Sequence, residues 1–230
     1  MRKFIHPCLP AAAAALLSVV GPTRAENIPI RYAVGFNGSV VATQTVEIAE
    51  SGGLTTVSAS FAADLPVFIA RHVYSEDITV TARADGSVQE FRARVADGPI
   101  VVETSGIPQE DGSLLVVRSG PDGMSSNRLV RTDYDCHSLA LYGTAPTNFL
   151  PDSRPVRMLD LARGEIVPTG VEVIFESYTT PERQNVDSAH VVWTSGSHVS
   201  HSWHPERYSD LPVRFVRSDA HGRFEFNLQR

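Results

Sequence analysis

The chain has 230 residues, with 20 Lys and Arg against 26 Asp and Glu, and a formal net charge of −6. This acidic balance argues against nucleic-acid binding, which usually shows a basic patch, and against docking on anionic lipid. For an all-β protein of this length, one domain is the default.

The first 25 residues predict a secretory signal peptide. Arg2 and Lys3 form a basic start, Ala11–Val20 is an apolar run, and Thr23–Ala25 is a small-residue cleavage site. The run is too short to span a membrane, and no later stretch approaches the roughly 20 apolar residues that a span needs. We therefore expect cleavage after about Ala25, export to the periplasm or beyond, and a single β-barrel-like domain over residues 26–230.

Cysteine usage is sparse. Cys8 lies inside the predicted signal peptide, too early for a lipidation site, so Cys136 is the only cysteine expected in the mature chain. No intramolecular disulfide is then possible. An odd cysteine in an exported protein is either buried and inert or a reactive thiol.

Short β-rich segments fill the first half of the chain, and turn signals such as Asn37-Gly38 separate them. The predicted strands are Ile28–Phe36, Val40–Ala49, Leu54–Ala62, Val67–Ala82, Val88–Val95, Ile100–Thr104 and Leu114–Arg118. Val67–Ala82 is unusually long, which suggests one strand that bends at a bulge.

The pattern breaks at Met124–Pro168, where the Asp133-Tyr134-Asp135 segment is placed to cap a short helix over Cys136–Tyr142. The sheet resumes at Val171–Tyr178. Ala189–Arg230 reads as an antiparallel meander whose last segment alternates strictly between apolar and polar residues. The sequence thus predicts an all-β fold, a large curled antiparallel meander or barrel of about a dozen strands with one short helix.

The run from Tyr32 to the end resembles a family of exported bacterial β-rich proteins of unknown function. The resemblance rests on the early hairpin and on a late polar strand, an aromatic strand and a glycine hairpin. These are Tyr32-Ala33-Val34, Gly38, His201-Ser202-Trp203, Phe215, Gly222 and Phe224–Leu228. The chain departs from the pattern at His204-Pro205. The resemblance implies a large curled sheet or barrel in the periplasm and supplies no catalytic residues.

Three histidines, His198, His201 and His204, form a candidate metal site because zinc and copper bind imidazole readily. On an extended strand, however, His198 and His204 would share a face about 20 Å apart, and His201 would point to the other face. His190, across the Ser195-Gly196 turn, could complete a two-histidine site. We expect solvated or hydrogen-bonded histidines, with a metal as the alternative.

A second cluster contains Asp133, Asp135, Cys136 and His137. A helix start lowers the pKa of a thiol, whereas the two carboxylates oppose thiolate formation. Adjacent residues seldom face each other, so His137 is a poor base for Cys136. We expect a buried or inert cysteine and assign no catalytic residue.

The late aromatic residues are expected to fill the core, with Trp203, Phe224 and Phe226 buried and the nearby histidines outside it. A nearly closed sheet of this many strands can also enclose a ligand cavity. The candidate ligand-binding residues are two aromatic side chains and two arginines that could hold a polar head group: Trp193, Trp203, Arg71 and Arg214.

These patterns favour a non-enzymatic periplasmic binding or chaperone-like protein for an apolar ligand or partner, without a cofactor. One alternative is a metal- or thiol-dependent enzyme that uses the Cys136/His137 cluster or the three histidines. Another is an accessory factor for maturation of an exported protein.

Overall fold

The computed structural model describes residues 29–67, 70–142, 154–179, 185–205, 211–219 and 222–229. The predicted signal peptide lies outside these residues. Within them, the chain folds almost entirely into strands, which confirms the predicted all-β class.

The elements follow one another closely along the described chain. The strands are β1 (Ile30–Phe36), β2 (Ser39–Ser51), β3 (Leu54–Val67), β4 (Ala70–Arg83), β5 (Val88–Asp97), β6 (Ile100–Pro108), β7 (Leu114–Gly120), β8 (Gly123–Leu129), β9 (Cys136–His137), β10 (Arg154–Asp160), β11 (Glu165–Thr179), β12 (Asn185–Ser195), β13 (His198–Pro205), β14 (Arg214–Asp219) and β15 (Gly222–Gln229). Two single turns of 3-10 helix, Arg131–Asp133 and Ala140–Tyr142, flank β9.

All these strands form one 15-stranded sheet in the order β8-β7-β6-β5-β4-β3-β2-β1-β15-β14-β13-β12-β11-β10-β9. Every neighbouring pair is antiparallel except β9 and β10, which run parallel. The last strand pairs with the first, with Val34 opposite Phe226 and Phe36 opposite Phe224. The sheet is therefore two long meanders joined at the β1–β15 pair.

The sheet curls so that regions near its two ends come into contact. The turn between β10 and β11 packs against β6 and β7, where the Thr104 hydroxyl donates to the Ala162 carbonyl at 2.8 Å. Gly164 lies so close to Thr104 and Val116 that a Cβ there would come within 2.7 Å of Val116, and its φ of +69° already favours glycine. Strands near opposite ends of the sheet thus enclose a shared interior.

Two sequence predictions are corrected in detail. The segment predicted as one bent strand over Val67–Ala82 is not a single strand, because β3 ends at Val67, β4 starts at Ala70, and these two residues are cross-strand partners. The predicted helix over Cys136–Tyr142 is a two-residue strand followed by a 3-10 turn. The Asp135 carboxylate does not cap a helix but accepts from the Arg157 backbone N–H at 2.8 Å, which ties this segment to β10.

The core lies on the concave face of the sheet and is rich in aromatic rings. Phe226 is 1% exposed, and its ring lies edge-on to Phe61 at 5.6 Å between centroids. Phe224 is also buried, as predicted. Two expectations for this region are wrong: Trp203 is partly exposed on the convex face, and His204 is buried at 3% exposure.

Candidate functional site

A cavity of about 460 Å³ lies inside the curled sheet. That volume falls in the range of small-molecule sites in proteins. Apolar side chains from several strands and from the segment after β9 form much of its wall; examples are Ala59, Ile78, Leu139, Leu141 and Met158. The cavity is therefore a space with a largely apolar surface that many polar and charged side chains also line.

An ion pair crosses this interior. Arg217 on β14 places Nη1 2.8 Å from Oε1 of Glu76 on β4. The Tyr74 hydroxyl donates to the same carboxylate at 2.5 Å, and the guanidinium carbon lies 5.2 Å from the centroid of the Phe224 ring. Because Glu76 already neutralises Arg217, this arginine is not an open anion receptor.

The other acidic side chains of the wall also have basic partners. Asp160 lies 3.6 Å from the Arg163 Nε and accepts from the backbone N–H of Ala162 at 3.0 Å. Burial is the main cause that raises the pKa of Asp160. Asp97 pairs with His72. Arg118 lines the cavity partly exposed, with no acidic partner in the described part of the chain.

Among the buried polar atoms of wall residues, Trp193 Nε1 and His137 Nδ1 have no protein partner within the described residues. Most buried polar atoms in proteins are hydrogen-bonded, so each exception needs an explanation such as a ligand or water. Burial lowers the pKa of His137 to about 4, so its ring is neutral near neutral pH.

Strand register places polar residues beside Trp193. On the inner face, Trp193 lies opposite Ser200 and Ser195 lies opposite His198 across the β12–β13 pair. Ser200 in turn lies opposite Arg217 on β14. All five residues line the cavity. One side of the cavity is thus lined by an indole ring, two serines, a histidine and an arginine.

The four predicted ligand-binding residues separate in the structure. Trp193 lines the cavity. Trp203 and Arg214 lie outside its wall: the Trp203 Nε1–H donates to Glu176 at 2.8 Å, and Arg214 Nη2 lies 2.7 Å from Glu225. Arg71 belongs to β4, but its side chain is outside the described ones.

The three predicted metal-binding histidines alternate along β13, as expected for an extended strand. His198 lines the cavity, and His204 is buried with Nε2 3.0 Å from the Ser202 hydroxyl. His201 faces the other way and meets His190, with Nε2 of His190 2.9 Å from Nδ1 of His201. That is an ordinary hydrogen-bond length.

The His190–His201 pair stacks onto Trp203, whose ring centroid lies 4.3 Å from that of His190. Glu176 Oε1 lies 3.0 Å from His190 Nδ1, close enough for an ion pair but poorly aligned for a hydrogen bond. Among the described residues, no three His, Cys, Asp or Glu side chains are grouped to hold a metal ion.

Cys136 and His137 do not form a reactive pair. Cys136 is 2% exposed and packs with Val156 and Val171, and burial raises the pKa of its thiol to about 12, with a further contribution from Asp135. His137 lines the cavity instead. A thiol with such a pKa is a poor nucleophile at neutral pH.

Sequence reasoning missed Glu76, Asp160 and His137 as wall residues. For Glu76 a signal was present, because it falls on the apolar face of an alternating strand, between Tyr74 and Ile78. A charge at such a position indicates a partner inside the fold. Arg217 on β14 is that partner.

The sequence matches no protein-family model and no curated protein. In the described part of the chain, no helix has the length and apolarity that a membrane crossing requires. The structure is similar to the crystal structure of a beta-barrel-like protein of domain of unknown function DUF1849 from Brucella abortus. The TM-score is 0.57 at 13% identity, over 89% of this chain and 97% of that one. The neighbour is a bacterial β-rich protein of unknown function, which agrees with the resemblance seen in the sequence and supports the curled β-barrel-like fold.

Proposed function

We propose that this protein is a non-enzymatic binding protein that holds an apolar or amphipathic small molecule in its interior cavity. The observation that carries the proposal is the cavity of about 460 Å³ inside the curled sheet, whose surface is largely apolar. Burial of apolar surface supplies roughly 25 cal/mol per Å², so a hydrocarbon portion of a ligand would be stabilised there.

The state of the polar wall groups supports binding over catalysis. The Glu76 carboxylate is engaged by Arg217 and by the Tyr74 hydroxyl. Cys136 is buried, with the pKa of its thiol raised to about 12. A nucleophile beside an orienting base, which a thiol-dependent enzyme requires, is not formed by Cys136 and His137.

We also propose that the protein acts in the periplasm, after removal of the first 25 residues. The basic start, the apolar run and the small-residue cleavage site support this. N-terminal sequencing of the mature protein should begin at Glu26 or within a few residues. An intact Met1 on protein isolated from the cytosol would contradict export.

A fluorescent probe tests the binding function. N-phenyl-1-naphthylamine is uncharged, apolar and bright only in an apolar environment, so we expect saturable binding at one site. Ala59→Phe would fill part of the cavity from its wall and should weaken binding at least tenfold. Val40→Phe is the matched control, because Val40 is 76% exposed and the same enlargement there leaves the cavity unchanged.

The control should bind like the wild type. Thermal melts must show that Ala59→Phe remains folded, because overpacking a core costs typically 1–3 kcal/mol. Saturable binding that is equal in the folded Ala59→Phe variant and the control would place the probe outside the cavity. Absence of binding to the wild type would favour the alternative of an accessory factor that acts on a partner protein.

A further inference from the structure

Two arginines of the cavity wall lie near one residue, Thr104. Arg118 on β7 is the cross-strand partner of Thr104. Arg163 belongs to the turn between β10 and β11, and the carbonyl of its neighbour Ala162 accepts the Thr104 hydroxyl at 2.8 Å. Both arginines line the cavity. The curl of the sheet therefore brings two cationic residues from distant parts of the chain to the same region of the wall.

Both arginine side chains keep accessible surface. Leu114 and Val116 are buried on the concave face of β7, and the strand's period of two directs Arg118 to that face as well. Arg118 is nevertheless only partly buried. The side chain of Arg163 is 52% exposed. A molecule in the cavity can therefore reach these two residues.

The protein leaves donors of these two side chains without an acceptor. A guanidinium has five N–H donors and accepts no hydrogen bond. Within the described part of the chain, Arg118 has no acidic partner. Arg163 Nε lies 3.6 Å from Asp160, which is too far for a hydrogen bond. Arg217 differs from both, because its Nη1 lies 2.8 Å from Glu76.

The acidic residues of the wall do not balance both arginines. Asp160 lies beside Arg163, and its Oδ1 accepts from the backbone N–H groups of Ala162 and Arg163 at 3.0 and 3.2 Å. The other two acidic wall residues, Glu76 and Asp97, have basic partners of their own. One carboxylate therefore stands against two arginines, and this region of the wall has a surplus positive charge.

This charge lies next to a largely apolar surface, which suits a hydrocarbon chain. The guanidinium fork matches the oxygens of carboxylates and phosphates in geometry and in charge. We propose that the ligand is an amphiphile whose anionic head group, a carboxylate or a phosphate, binds Arg118 and Arg163. This inference rests on the proposed binding function and specifies the class of ligand.

Four ten-carbon compounds with different head groups test this class: decanoate, decyl phosphate, 1-decanol and decyltrimethylammonium, all at pH 8. Each competes against N-phenyl-1-naphthylamine for the cavity. We expect the two anions to bind about tenfold more tightly than the cation, the worth of one charge-assisted hydrogen bond, and more tightly than the alcohol. The anion that binds more tightly identifies the head group as a carboxylate or a phosphate.

Variants of the two arginines locate the head group. Arg118→Gln should reduce the preference for decanoate over decyltrimethylammonium about fivefold or more, because it removes a charge without a protein partner. Arg163→Gln should act in the same direction but less strongly, since Asp160 already offsets part of its charge. Arg92→Gln is the matched control, because Arg92 is exposed and lies outside the cavity wall. The control should keep the wild-type preference, and thermal melts check that each variant is folded.

The salt dependence of binding gives a second readout that needs no variant. Raising the NaCl concentration from about 0.02 M to about 0.5 M screens charges that water reaches. Decanoate should therefore bind the wild type more weakly at the higher concentration. Binding of 1-decanol, which carries no charge, should not weaken.

Binding of the cation or the alcohol as tightly as the anions, without an effect of salt on decanoate, would overturn the ligand class but leave the binding function intact. A preference for anions that folded Arg118→Gln and Arg163→Gln both retain in full would place the head group elsewhere and overturn the assignment to these residues. If neither the probe nor any of the four compounds binds, the proposed function itself fails, and this inference fails with it.

Discussion

Arg217 on β14 and Glu76 on β4 are joined by an ion pair of 2.8 Å although four other strands separate β4 from β14 in the sheet. The contact crosses the interior and is possible only because the sheet curls. The two side chains are 22% and 13% exposed, so water reaches the pair only in part. The pair therefore ties the two halves of the sheet together beside the cavity.

We predict that Arg217→Met lowers the free energy of unfolding by about 2–3 kcal/mol, because it leaves the Glu76 carboxylate largely buried without its partner. The double variant with Glu76→Gln should recover part of that loss, since no charge is then left unpaired. Urea unfolding of the two single variants and the double variant measures both effects. Additive losses would show that the pair does not couple the two strands.

The buried histidines predict a loss of stability in mild acid. Burial lowers the pKa of His137 and of His204 to about 4, below the usual 6.5 of histidine. Above pH 6.5 both histidines are largely unprotonated in the folded and in the unfolded state. Their burial then causes no loss in the free energy of unfolding. As the pH falls towards 4, only the unfolded state binds them, and stability declines.

Between pH 7 and pH 5 each of these histidines should contribute a loss of up to about 2 kcal/mol. The raised pKa of Asp160 acts in the opposite direction and reduces the total. His204→Asn should make the free energy of unfolding depend less on pH. His198→Gln, which removes an imidazole from the same strand, should leave that pH dependence as steep as in the wild type. Unfolding free energies that do not change over this range would contradict the burial of His137 and His204.

Gly106 is predicted to resist even the smallest enlargement. A Cβ at Gly106 would collide with Cε1 of Phe91, its cross-strand partner on the concave face. Gly106→Ala should therefore force the Phe91 ring to move and cost about 1–3 kcal/mol. Gly170→Ala is the matched control, because its nearest atom would be an ordinary 3.8 Å away. A similar melting temperature for the two variants would show that the Phe91 ring is not fixed over Gly106.

Thermal melts can compare how much the buried aromatic residues and the histidines contribute to stability. Phe226→Ala should cost about 3–5 kcal/mol, because Phe226 is 1% exposed and packs against Phe61 and Phe215. His201→Ala, on the convex face, should cost less than about 1 kcal/mol. EDTA should change neither melt. If EDTA lowered the melting temperature of the wild type but not that of His201→Ala, a stabilising metal bound through His201 would be indicated instead.

Local patterns predicted the fold better than they predicted the cavity. Alternation in Phe224–Leu228 and the Asn37-Gly38 turn are properties of neighbouring residues, and β15 and the β1–β2 hairpin follow from them. The contact of Glu76 with Arg217 joins residues 141 positions apart and depends on how far the sheet curls. No period in the sequence encodes that curvature.

Local sequence patterns also fail to separate Trp193 from Trp203, which the sequence analysis names together as candidate ligand-binding residues. Both are aromatic residues of the final meander, and sequence alone did not show which face each would take. The register of β12 with β13 places Trp193 opposite Ser200 and Trp203 opposite His190. One tryptophan therefore lines the cavity, and the other stacks on a histidine pair outside its wall.

Native mass spectrometry of the protein purified from its own periplasm tests the central claim most directly. We predict that the wild type and the Val40→Phe control carry an additional mass of small-molecule size, and that the folded Ala59→Phe variant does not. Gentle activation should release that mass without unfolding the chain. A wild type at its bare mass, together with no saturable binding of N-phenyl-1-naphthylamine, would contradict the account.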